Sequence, residues 1–212
     1  MVQVDVLSRL RGAARRGAPL LACVLVCLSA GGCLFAPRDA EPPETGDIVR
    51  YLAQNEPVNT WDNLETSLNA THTPGWEGAI SSSSFLYEPD SATENQFPGV
   101  FASWNREREL AFINGLYNSQ VTIVAQMRNL EFVVPPSSGS ESLWEDVIYD
   151  VTVTSVNPPS TIRYRGLADI KFTLEGNFWY ISEWHDRQGE SDPGSGQLLS
   201  TLGVLRGSFA SK

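Results

Sequence analysis

Cysteine is missing from everything beyond residue 33, and that gap sets the first limits on what the chain can be. Cys23, Cys27 and Cys33 are the three cysteines among 212 residues, so the remainder forms no disulfide of its own and no thiolate metal site. Histidine is nearly as scarce, with His72 and His185 alone, and no metal cluster has convincing spacing. The sequence holds no phosphate-binding glycine loop and no Gly-x-Ser-x-Gly nucleophile turn. The apolar run from Pro19 to Leu28 is too short to span a bilayer, and no internal repeat is visible. Neither a metal nor a cofactor is expected.

Charge of one sign is also in short supply. The net charge is -10, and residues 1–32 hold four of the 15 basic side chains and one of the 25 acidic ones. The rest therefore has 11 basic and 24 acidic residues, a net of -13. A body so acidic repels phosphate backbones, which excludes nucleic acid as the expected partner. Hydrophobic residues at 42% and aromatics at 10% are enough for one globular domain with a sizeable core.

The first 32 residues follow the pattern of a secretory signal. A basic region ends at Arg16, the apolar run follows, and the small residues Ser29 to Gly32 precede Cys33. Leu28-Ser29-Ala30-Gly31-Gly32-Cys33 resembles the lipobox of bacterial lipoproteins, with Ala30 where the family usually has an aliphatic residue. The resemblance implies removal of residues 1–32, lipid on Cys33, and a protein held at the cell envelope. Leu34 after the cysteine implies carriage to the outer membrane where the host has two membranes. Residues 33–45, with three prolines, form the lipidated cysteine and an extended tether.

The body runs from helices to strands. Ile48, Tyr51 and Leu52 have helical spacing, with Pro57 as a stop. Trp61, Leu64 and Leu68 mark a second helix capped near Asn59 or Thr60, and Trp76, Ala79 and Ile80 a short third. Phe85 to Tyr87 reads as a short strand, Ser91 to Gly99 as a loop, and Trp104 to Tyr117 as a helix with Ser103 at its N-cap. From Gln120 the apolar period becomes two. Apolar positions in Gln120 to Val134 change from odd to even numbers, which predicts a long strand with a β-bulge near Arg128-Asn129. Leu143 to Val156 is another strand, with Val147, Tyr149, Val151 and Val153 on one face.

The strongest signal is Tyr164 to Asp186, two strands joined by Gly176-Asn177. Counting outward from that turn pairs Leu174 with Trp179, Phe172 with Ile181, Ile170 with Glu183 and Ala168 with His185. Glu183, His185 and Tyr164 then share the inner, apolar face with Phe172. Phe178, Tyr180 and Trp184 form an outer aromatic row, ready to receive the apolar tail, residues 188–212, or a second copy in a homodimer.

This order, with Phe85 to Asp90 and the strand Trp179-Tyr180-Ile181-Ser182-Glu183-Trp184-His185-Asp186, is similar to the nuclear-transport-factor-2-like superfamily over residues 46–187. The resemblance implies an α+β fold in which N-terminal helices pack in a strongly bent antiparallel sheet, a cone-shaped roll with a pocket at one end. Tyr87 and Trp104 would line the pocket mouth or belong to the core. Three functions stay open: a non-enzymatic module binding a small apolar ligand or a protein, a hydrolase or isomerase using His185 and Glu183 as an acid-base pair, and a dimerisation module. No catalytic residue is assigned. Metabolic labelling with a fatty acid should mark the native protein and leave Cys33→Ala unlabelled; equal labelling of the two would contradict the anchor.

Overall fold

In the computed structural model, residues 48–211 are described. The expected signal segment, lipid attachment at Cys33 and tether all lie outside them. The body contains helices α1 (Pro57–Ala70), α2 (Thr73–Ala79), α3 (Ser91–Gln96), α4 (Arg106–Asn118) and α5 (Leu202–Ala210). Its strands are β1 (Leu86–Glu88), β2 (Val121–Gln126), β3 (Glu141–Val156), β4 (Pro159–Glu175) and β5 (Phe178–Gly189). They form one five-stranded sheet in the order β1-β5-β4-β3-β2. All neighbours are antiparallel except β1, which lies parallel to β5. The class is α+β, a helix-lined cone, and the short parallel edge strand makes the sheet mixed where a purely antiparallel one was expected.

The hairpin turn forms as its sequence requires, with Gly176 at φ +66°. The helix expected from Ile48, Tyr51 and Leu52 does not form over the described residues 48–55. Instead Asn63 of α1 accepts from the backbone N–H of Leu52 at 2.7 Å and donates to its carbonyl at 2.9 Å, holding this segment as a strap. Pro57 opens α1 rather than closing an earlier helix, because the first helical position needs no N–H. The expected loop after Asp90 is α3, since the Asp90 carboxylate accepts from the N–H groups of Ala92 and Thr93 and caps it. Asn105, not Ser103, caps α4.

The long strand predicted to Val134 stops at Gln126. There α1 takes over the backbone: Glu65 accepts from Met127 N–H at 2.8 Å, and Trp61 Nε1 donates to the Met127 carbonyl at 2.9 Å. Beyond this point Leu130 and Val133 face water at 96% and 83% exposure. The side-chain amide of Asn69 pairs with both backbone groups of Ala125, covering the β2 edge.

Bulges decide which side chains face inward. In β3 the register shifts between Trp144 and Val147, with Asp146 at φ +58°. In β5, Phe172 pairs with Ile181 but Lys171 pairs with Glu183, so Ser182 is an extra residue. From there Ile170 opposes Trp184 and Ala168 opposes Asp186. Trp184 therefore leaves the predicted outer row and is fully buried with Trp61, Trp76 and Tyr149, at ring separations of 5.3, 6.3 and 5.8 Å. Phe178 stays outside, 49% exposed.

The tail packs on the inner side rather than on that aromatic row. Arg165 N–H donates to the Ser200 carbonyl at 3.0 Å, and α5 then lies against α3, α4 and β4. Truncating Trp184 to Ala should cost about 3–5 kcal/mol in urea unfolding, and His185→Ala no more than about 0.5 kcal/mol. The reverse order would restore the unbulged register.

Candidate functional site

Asp186, on the inner face of β5, is the centre of a buried polar cluster. Its Oδ1 accepts from Tyr149 Oη at 2.8 Å and Trp184 Nε1 at 2.9 Å. Its Oδ2 accepts from Tyr87 Oη at 2.8 Å and the backbone N–H of Gly203 at 3.2 Å. Tyr149 Oη in turn accepts from Leu202 N–H at 2.9 Å. Three strands, β1, β3 and β5, and the first turn of α5 thus converge on one carboxylate, which is 5% exposed. Burial pushes the Asp186 carboxyl above its ordinary range, with Arg206 and the donors partly offsetting it. Burial first, and then the neighbouring Asp186, raises the Tyr87 and Tyr149 phenols well above theirs.

A second charge pair closes the cluster. Arg206 of α5 and Glu109 of α4 are both 0% exposed. The guanidinium donates from Nη2 to Glu109 Oε1 at 2.8 Å and from Nε to Oε2 at 3.0 Å, a two-pronged contact, and Trp104 Nε1 donates to Oε2 at 2.7 Å. Burial alone would lower the Arg206 pKa, but the charge and hydrogen bonds of Glu109, with Tyr87 and Asp186 beside it, together outweigh burial and hold the cation firmly protonated. The Arg206 guanidinium carbon lies 4.2 Å from the Tyr87 ring centroid, 4.7 Å from that of Trp184 and 5.5 Å from that of Phe112.

Of the residues expected to line a pocket, Tyr87 and Trp104 do meet here, but as buried donors. Tyr164 is on the inner face and 5% exposed, beside a separate hollow of about 260 Å³ with Val153, Leu116 and Leu205. Glu183 and His185 are not on that face. The extra residue Ser182 turns both outward, where their side chains are about a third exposed. His185 lies 3.0 Å from Glu88 through Nδ1 and 3.3 Å from Glu183 through Nε2, and Glu183 also pairs with Lys171 at 3.2 Å. They stand in a row of outer-face ion pairs that includes Arg187–Asp169 and Arg165–Asp150.

A cleft of about 510 Å³ lies between α4 and α5. Trp104, Phe112, Ala111, Gly115 and Phe209 line it, with Arg108 at its edge. Among the described residues no group of three or more His, Cys, Asp or Glu is placed to hold a metal.

No family model matches the chain, and no curated protein matches it. Solved structures do. A provisionally named aromatic ring hydroxylase from Novosphingobium aromaticivorans is 7% identical, covering 70% of this chain and 92% of its own, with a TM-score of 0.52. A nuclear-transport-factor-2-like superfamily protein from Salmonella enterica serovar Typhimurium is 10% identical over 65% and 92%, with a TM-score of 0.43. An epoxide hydrolase of M. tuberculosis is 12% identical over 76% and 92%, with a TM-score of 0.39. The likeness is one of fold: the α+β architecture described above is shared with the first of these structures.

Asp186→Asn places an amide among converging donors and should lose about 1–3 kcal/mol in urea unfolding. The carboxyl binds its proton more tightly in the folded state, so its contribution to stability rises as pH falls through the raised folded value to the ordinary 3.8. The difference between wild type and variant should therefore widen from pH 7 to about 4; a narrowing would contradict the raised value.

Proposed function

We propose that this chain is a lipid-anchored protein of the cell envelope whose cone domain binds a small apolar ligand without chemistry. One observation supports the absence of chemistry: every hydrogen-bonding position of the axial carboxylate, Asp186, is filled from within the chain, and α5 covers it. A group with no room for a reacting atom is not a general acid or base. Glu183 and His185 sit near each other but on the open outer face, which counts against a hydrolase or isomerase built on them.

The ligand site of this reading is the cleft between α4 and α5. Its volume, about 510 Å³, falls in the range of small-molecule sites, and three aromatic side chains form its walls. Cys33 supplies the attachment: two or more acyl chains on one cysteine, at about 0.8 kcal/mol per buried methylene, hold a body firmly to a membrane. In a host with two membranes the outer one is the address.

Native mass spectrometry with dodecanoate tests the ligand site. Wild type should retain one bound fatty acid, and Ala111→Trp, which fills the cleft from the exposed side of α4, should retain none while keeping its far-ultraviolet circular dichroism. Equal retention by both proteins, or none by wild type, would count against the cleft.

A further inference from the structure

Arg206 is enclosed the way a bound cation is enclosed by a receptor. Three rings, from Tyr87, Trp184 and Phe112, surround it at 4.2–5.5 Å. Glu109 meets Nε and Nη2 together, the geometry that matches a planar guanidinium rather than a compact ammonium. Asp186 adds a second negative charge nearby. The walls belong to β1, β5 and α4, while the cation comes from α5 alone. Without α5 the cone would present an aromatic cage over two buried carboxylates.

We propose that the cone is a binding site for guanidinium-bearing ligands and that α5 is a tethered plug, with Arg206 as its resident guanidinium, which such a ligand displaces.

α5 owes its helical form to the walls it docks on. It has nine residues, with Gly203 and Gly207 inside it and no side-chain cap at its N-terminus, so it lacks the propensity to persist undocked. Those glycines let it approach closely: a Cβ on Gly203 would strike Tyr87 Oη, and one on Gly207 would strike the Phe97 ring. Between β5 and α5 the chain makes a hydrogen-bonded turn, in which the Gly196 N–H donates to the Asp192 carbonyl and the Asp192 N–H to the Gln197 carbonyl, both at 2.8 Å, so this turn would hold α5 to the body as a tether when it leaves the walls. The plug also fits imperfectly, since Nη1 of Arg206 is buried with no hydrogen-bond partner among the described residues. The chain's net charge of -10 favours the approach of a cation.

The test uses full-length protein and two readings. Arg206→Ala removes the cation and leaves space for ethylguanidinium, the fragment deleted. At 10 mM that probe should raise the variant's Tm by about 3 °C, and neutral ethylurea should not. In wild type, 50 mM agmatine should speed hydrogen exchange of the α5 amides several-fold while leaving β3 and β4 unchanged. The proposal is overturned if ethylguanidinium stabilises the variant no more than ethylurea, or if agmatine leaves wild-type α5 exchange unchanged or slower. Should Arg206→Ala fail to fold, the wild-type exchange alone decides.

Discussion

The contact on which the rest of the structure depends is the buried ion pair between Arg206 and Glu109. Two charges at 0% exposure are stable only if their desolvation is offset by close geometry and by satisfied donors and acceptors. Glu109 meets that condition through Arg206 and Trp104 together. Removing either partner would strand the other in the core, a loss of about 3–5 kcal/mol in comparable cases. The pair joins the helical layer, through α4, to the C-terminal helix. That helix, through the Gly203 and Leu202 N–H groups, completes the shells of Asp186 and Tyr149 on the sheet. Closure of the cone follows from the pair.

One extra residue in β5 supplies the other half of the arrangement. Ser182 reverses the facing of everything after it: the carboxylate and indole of Asp186 and Trp184 turn into the cone, and Glu183 and His185 turn out. The same peptide without the bulge would put the Glu183 carboxylate where the tryptophan sits and the His185 imidazole where Asp186 sits. The outer side gains a row of paired charges in exchange, each worth little by itself but together keeping that face wet.

Much of this was legible in the sequence. The helix-to-sheet change at Gln120, the Gly176-Asn177 turn and the inward row Val147, Tyr149, Val151 and Val153 were all readable from period and turn chemistry. The facing of the site was misjudged, although a signal existed: Trp179 and Ile181 are odd, Trp184 and Asp186 even. That is the same parity slip that correctly means a bulge. At Arg128 the slip was read and was misleading, because Trp61 and Glu65 of α1 capture the Met127 backbone and end the strand. Glu109 and Arg206 carried no local signal. They are 97 residues apart, and on their own helices each looks like an ordinary solvated charge. Only the tertiary fold brings them together, so only the fold shows that the cone is occupied.

A double-mutant cycle on Glu109→Leu and Arg206→Leu, read by urea unfolding, tests this account most directly. Each single change should remove about 3–5 kcal/mol, and the double variant should lose no more than either single one, because an apolar pair replaces an ionic one in the same space. Additive losses, or single variants as stable as wild type, would show that the cone does not close on this pair.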